Sequence, residues 1–413
     1  MHSSRIKTCF ILSGVKGTRY LCRILIVLFV LGHLSSAHHQ AIKLKPDLPC
    51  VKELMDVLRA GLERNNGTGV SAAVIVPEFA PWTGVAGISD KASGEVVKPG
   101  MLFLNASIGK NYLAALVLKL VEEGKLSLDD SLKEWITEYP NLDRHITVRQ
   151  LLNHTSGLPD HVKHPDSPYQ TPYTSIEFRK LWTPKEIITK LAGKPVSRPA
   201  EGWRYSTTNY VLLKMIIEKI TRSTVATELK KRFLDPLGLK STVPLADPAC
   251  VPSGFEIAHN WFDTNADGEL DDISSYPKTW LSISPHVIFT TAEDLARWSD
   301  ALFRRHRALS RKSIGEMLVF HSPIKDPNEP LIVGYGLGTA EFPSQFFGGD
   351  RVIGHLGWDF GWMGAMLFFP EHSVSMSILT NDNNERCITH IAAGLWAVIK
   401  KHIASSKEIK ARV

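Results

Sequence analysis

Cysteine is scarce in this chain of 413 residues, five in all, and the five lack the close paired spacing of a metal site. Cys9 and Cys22 fall near the amino terminus, leaving Cys50, Cys250 and Cys387 far apart in the body of the chain. Three thiols cannot all pair with one another. One bridge plus a buried thiol fits an oxidising compartment, and three unpaired core cysteines are the equal alternative. Neither arrangement makes a cysteine the nucleophile. The chain also lacks a long hydrophobic run, since Ile24 to Leu34 is too short to span a bilayer comfortably. It shows no repeat of solenoid length. Its formal charge of +6 is concentrated at one end, where Arg5, Lys7, Lys16, Arg19 and Arg23 all precede the apolar run. Without those five the remainder is close to neutral, and nothing suggests nucleic acid.

What is present at that end is a basic segment, an apolar core and then Ser35-Ser36-Ala37, small residues suited to signal-peptidase cleavage. Residues 1–37 therefore read as a signal peptide and 38–413 as the mature domain, expected to be secreted or periplasmic with no stable membrane span. The alternative is an uncleaved signal that anchors the protein to a membrane. A composition of 44% hydrophobic and 22% charged residues suits one large globular domain.

Apolar periodicity predicts helices over Val51–Leu62, Ser107–Val121, Val148–Leu152, Pro184–Leu191, Thr208–Ile220, Thr290–Phe303 and Arg386–Lys401. Thr290 and Glu293 form a possible capping box for the sixth of these. Short apolar or alternating runs predict strands over Val70–Val76, Thr83–Ile88, Leu331–Gly338, Arg351–His355, Gly361–Phe369 and Val374–Thr380. The order gives an α/β fold of the α+β type. Its antiparallel sheet draws on both chain ends, about 50–100 and 285–402, with a mostly helical region, about 107–284, inserted between them.

Ser107 and Lys110 sit three apart at the head of a strongly apolar helix. A serine hydroxyl is a weak nucleophile until a base takes its proton, and a neutral lysine one turn along can be that base. Ser-x-x-Lys also begins at Ser4, Ser13, Ser275 and Ser322. The first two lie in the leader, and Pro277 and Pro323 interrupt the other two, so only Ser107 starts a long helix.

Two further motifs are set apart from this pair. Asp263 to Asp271 follows the first nine positions of a calcium loop. Oxygens of Asp263, Asn265, Asp267 and Asp271 and the Glu269 carbonyl are its candidate ligands, but Ser274 stands where the bidentate glutamate belongs. An acidic solvated turn is the competing reading. Asn66, Asn105 and Asn153 each begin an Asn-x-Ser/Thr triplet, and Asn66 alone has an exposed setting.

Ser107-Ile108-Gly109-Lys110, Val148 to Leu158, Tyr205-Ser206-Thr207-Thr208-Asn209-Tyr210 and His355-Leu356-Gly357 follow one another in an order that resembles the serine beta-lactamase and penicillin-binding-protein superfamily. The likeness covers about residues 50–400 and falls on the branch of class C beta-lactamases, D-Ala-D-Ala carboxypeptidases and related esterases. It implies a beta-lactamase/transpeptidase-like fold and catalysis through a Ser107 acyl-enzyme without a cofactor. Lys110, with its pKa lowered to near 7, would be the base. Tyr205 would relay a proton to the leaving group, and the Ser107 and Trp358 N–H groups beside Gly357 would hold the oxyanion. His355 would take the place many relatives fill with lysine, orienting Tyr205 or a substrate carboxylate. His154 would be scaffold, its turn built on side-chain-to-backbone hydrogen bonds.

Amide-cleaving relatives carry asparagine where this chain has Thr207. The shorter hydroxyl puts amide selectivity in question. The sequence thus predicts a secreted serine hydrolase acting on a peptide, as a carboxypeptidase does, or on an ester. The alternatives are a catalytically weak penicillin- or peptide-binding module and a true beta-lactamase. The expected partner is a small-molecule or peptide substrate.

Overall fold

The computed structural model describes residues 46–411 apart from 174, 194, 246–251 and 285. The expected leader, Cys9, Cys22 and Cys250 lie outside the described residues. Among those described, no helix is long and apolar enough to cross a membrane.

The helices that build the frame are α1 (Val51–Asn65), α2 (Gly109–Glu122), α3 (Thr208–Thr221), α4 (Ala292–Ser299) and α5 (Glu385–Ala411). The main sheet has eight strands: β1 (Gly69–Ile75), β2 (Trp82–Asp90), β3 (Glu95–Val96), β4 (Gly334–Tyr335), β5 (Ala340–Phe342), β6 (Val352–Asp359), β7 (Trp362–Phe369) and β8 (Val374–Thr380). They are ordered β3-β2-β1-β8-β7-β6-β5-β4 and pair antiparallel throughout. The amino-terminal strands therefore zip onto the carboxy-terminal ones through β1 and β8, with Val70 opposite Thr380. The chain between β3 and β4 forms the helical region.

Helices cover the sheet on both faces, and this explains why its central strands read as apolar runs with little alternation. Every residue of β1, β7 and β8 is buried. Val70, Ala72 and Val74 face a core with Leu54 and Leu58 of α1 and Ile391, Leu395 and Trp396 of α5. Ala73 and Ile75 point the other way, into the core of α2, α3 and α4. All of α2 but Lys119, Val121 and Glu122 is buried, as its nearly uniform apolar sequence requires. Cys50 and Cys387 are buried and unbridged, and burial pushes the Cys387 thiol up to about 12.

Local structure departs from the sequence expectation at three places. Thr290 ends a short strand, Ile288–Thr290, with its hydroxyl 2.9 Å from that of Thr242. Thr291 is the cap instead, accepting from the Asp294 N–H. Only Gly334–Tyr335 of Leu331–Gly338 pairs as a strand, because Gly336 closes a turn by donating to the Thr339 carbonyl. The helical segments beginning at Pro184 and Ala292 finish in wide π turns, Ile187–Leu191 and Asp300–Arg304.

Trp396 stacks on Phe369 at 3.6 Å between ring centroids, fixing α5 to the sheet. Trp396→Ala is expected to lower unfolding stability by about 3–5 kcal/mol, a Trp-sized cavity in a close-packed core. Denaturant titration of the two proteins checks it.

Candidate active site

Ser107 lies in a tight 3₁₀ turn, Ala106–Ile108, that runs directly into α2. Ala106 is held at φ 48°, a left-handed conformation that disfavours a residue with a Cβ by about 1–2 kcal/mol. The turn persists because it is clamped from two sides. A Cβ on Gly357 of β6 would lie 2.2 Å from the Asn105 carbonyl oxygen, and one on Gly109 only 1.6 Å from the His286 carbonyl oxygen. Both glycines are there because backbone passes where a side chain would be.

Lys110 is fully buried, with its Nζ 2.9 Å from Ser107 Oγ. Burial pulls its ammonium down to about 7, against the opposing pull of the Asp160, Glu329 and Asp359 carboxylates. Near neutrality a large fraction is then free amine, as a general base needs. Lys110 Nζ is also 3.0 Å from His286 Nε2. His286, whose position no sequence motif marked, is buried, and burial keeps its ring neutral by holding its pKa well below the usual value. A neutral imidazole at this distance accepts an N–H from Lys110 and so helps hold the amine beside Ser107. No local signal could have found it, since 176 residues separate the two.

Tyr205 brings its ring within 4.9 Å of Lys110 Nζ. Burial raises its phenol well above 10, while a side-chain hydrogen bond with Ser107 pulls against that rise. It therefore stands at the serine as a neutral hydroxyl. His154 underlies it: its ring lies 4.4 Å from that of Tyr205, and its Nδ1 accepts from Ser206 N–H at 3.1 Å. The Asn209 amide meets the same Nδ1 and accepts from Ser156. Thr207, at the start of α3, lines the pocket and donates its N–H to Asp160.

His355 also lines the pocket, but its Nε2 is 2.9 Å from the Tyr335 hydroxyl, while Nδ1 meets the Leu356 carbonyl. That carbonyl requires the proton on Nδ1, so Nε2 accepts from Tyr335. Burial takes the ring to about 3, so it is uncharged. Its ring centroid is 6.4 Å from that of Tyr205, and Tyr335 is its direct partner. Trp358 is 45% exposed at the rim, beside Tyr169, Phe262 and Phe360. Ser107, Tyr205, Thr207, His286, His355, Gly357 and Trp358 thus share one cavity of about 420 Å³, with Lys110 behind Ser107.

The Asp263–Asp271 loop is no part of this cavity. It is the tip of a hairpin pairing Trp261–Phe262 with Asp271–Asp272. Asp263 accepts backbone N–H groups of Asn265, Asp267 and Gly268, Asn265 donates to Asp267, and Asp271 accepts from Thr264. Glu269 is held by its own N–H to Asp267. Among the described residues, the one group of acidic and histidine side chains close enough for a shared ion is Asp90, His259 and Asp272. Asn105 is fully buried, which excludes a glycan there, whereas Asn66 is exposed.

The Beta-lactamase family model matches residues 52–393. A penicillin-binding protein of Bacillus subtilis (strain 168) is 26% identical over 320 residues, 72% of this chain and 65% of that protein. Esterase EstB of Burkholderia gladioli is 32% identical over 163 residues, 37% of this chain and 41% of the esterase. The chain spans about two thirds or less of the length of the curated relatives it matches, 65% of the Bacillus protein and 60% of Staphylococcus aureus protein flp. A crystal structure of D-amino acid amidase from Ochrobactrum anthropi SV3 superposes with a TM-score of 0.74 at 25% identity, over 85% of this chain and 99% of the amidase.

Modification of Ser107 by a fluorophosphonate is expected to speed up as pH rises, with its inflection at about 7, because the amine form of Lys110 is the base. His286→Leu should move that inflection down by about one unit, since the ammonium loses a charge-assisted acceptor. Labelling rates across pH for both proteins check this; an inflection that stays put shows that Lys110 does not use the imidazole.

Proposed function

The chain belongs to the beta-lactamase family of serine hydrolases, and from that premise we propose that it cleaves small esters or amides through an acyl-enzyme on Ser107. The observation that carries this reading is the buried Lys110 amine, 2.9 Å from Ser107 Oγ and brought to about 7. Lys110 takes the Ser107 proton as Oγ attacks the carbonyl carbon. The backbone N–H groups of Ser107 and Trp358 receive the oxyanion, a placement supported by the close passage of β6 at Gly357 over the serine turn. Protonated Lys110 then returns a proton to the leaving group by way of the neutral Tyr205 hydroxyl. Water enters by the reverse route to release the acid.

This chemistry runs on protein groups; calcium on the Asp263–Asp271 hairpin, if bound, would be structural and outside the cavity. Secretion through a leader at 1–37 is part of the same proposal. A carboxypeptidase substrate ends in a carboxylate, and a neutral His355 joined to Tyr335 offers it no charge. The ester or amide reading is the better supported, and the relatives include an esterase and an amidase.

A simple activated ester is expected to be hydrolysed, with Ser107→Ala abolishing turnover. Lys110→Arg should reduce acylation by about 10²–10⁴-fold despite keeping the charge, because guanidinium cannot serve as base. Burst kinetics measure both; an arginine variant retaining more than about a tenth of the rate removes the base role from Lys110.

Thr207→Asn is expected to raise kcat/KM for an amide relative to the matched ester by roughly tenfold, equivalent to one hydrogen bond of about 1.4 kcal/mol in the transition state. The within-enzyme ratio is the measurement. A ratio equal to the wild type's shows that Thr207 does not set the choice of acyl group.

A further inference from the structure

The cavity around Ser107 is unevenly charged. Asp160, Glu329, Asp359 and Glu385 line it against one ammonium, Lys163, which stands exposed at the rim. Three of the four carboxylates are accounted for. Asp359 accepts from the Tyr169 hydroxyl, the Trp280 indole and the Phe360 N–H. Asp160 accepts the N–H groups of Thr207 and Val162. Glu385 lies exposed at the start of α5.

Glu329 is different. It is carried by the turn before β4, where its backbone accepts from Ile332 N–H and donates to the Asp326 carbonyl. Its carboxylate makes no hydrogen bond or ion pair among the described residues, although it is half-buried in the cavity wall. A carboxylate partly withdrawn from water with no protein partner is held at an energetic disadvantage, and a cation relieves it. Its ionised form is accordingly disfavoured: burial raises it to about 7, against the opposing pull of Lys163 and Lys110 and with Asp326 and Asp160 adding to the rise.

Among the described residues, the cations near the cavity do not meet this need. Lys110 is engaged by Ser107 and His286, and His286 and His355 are neutral. Lys163 forms no ion pair with Glu329 among the described residues. The missing countercharge is therefore one that a ligand can supply, and the aromatic residues Tyr205, Tyr169 and Trp358 that line the same cavity are compatible with a cation.

We propose that Glu329 is the anchor for a protonated amine, so that this site selects substrates carrying an ammonium group within reach of the scissile carbonyl. The inference rests on the reading of the cavity as a serine hydrolase site and names its substrate class: amino-bearing esters or amides, in preference to neutral or carboxylate-bearing ones.

The test is a binding measurement on the Ser107→Ala protein, which needs no turnover. Phenylpropylamine, phenylpropanol and phenylpropionate share one shape and differ in charge. By calorimetry, the amine is expected to bind at least about tenfold more tightly than the alcohol, as a charge-assisted contact provides, and the acid more weakly than either. Adding Glu329→Gln should remove the gap between amine and alcohol. Glu329→Lys, a second variant at the same position, should reverse the order and favour the acid. Equal binding of amine and alcohol, or a gap that survives Glu329→Gln, overturns the proposal. Failure of Ser107-dependent ester hydrolysis in the wild type would instead strike the hydrolase reading, and the two results are separable because binding is scored without catalysis.

Discussion

Removal of the Lys110 side chain from water is the constraint around which this site is organised. An exposed lysine would remain an ammonium at neutral pH and could not accept a proton from Ser107. Here α2 lies almost wholly inside the protein, and the amine is surrounded by the Tyr205 and Tyr210 rings and the His286 imidazole. Desolvation outweighs the attraction of Asp160, Glu329 and Asp359 and leaves the group near 7. Stronger carboxylate contact would restore the charge and remove the base; a wholly apolar surrounding would leave its N–H groups without acceptors.

Burying the lysine demands close approach, and the glycines record where. Gly109 admits the His286 carbonyl and Gly357 admits the Asn105 carbonyl, so the serine turn is held between the helical region and β6. That clamp also holds Ala106 in its left-handed conformation, a local cost that surrounding packing must offset. Both histidines that line the cavity, His286 and His355, are kept neutral by the same burial. Histidine thus supplies acceptors here, and its charge has no part in the chemistry.

The remainder of the cavity wall has a different balance. Asp359 is satisfied by three donors, whereas Glu329 faces the cavity without one. An active site with a neutral base and an unmatched carboxylate presents negative potential to whatever enters. Electrostatic fit then becomes a means of choosing among substrates that the serine could otherwise attack alike.

Much of this was legible in the sequence because it is local or periodic. The helix after Ser107 and the strand runs at both ends follow from residue spacing alone, and the paired position of Ser107 and Lys110 follows from helical geometry. Ordered motifs identified the family and placed Tyr205, Thr207 and His355 around one cavity. The sequence could not reveal partners brought together by the fold across long separations. His286 reaches Lys110 from 176 residues away, His355 turns to Tyr335, and Glu329 enters the cavity from a turn with no motif. Residue type and spacing determine which side chains are available and how each segment bends; burial and the neighbours it imposes decide which of them carry charge, and that is settled only when the chain closes on itself.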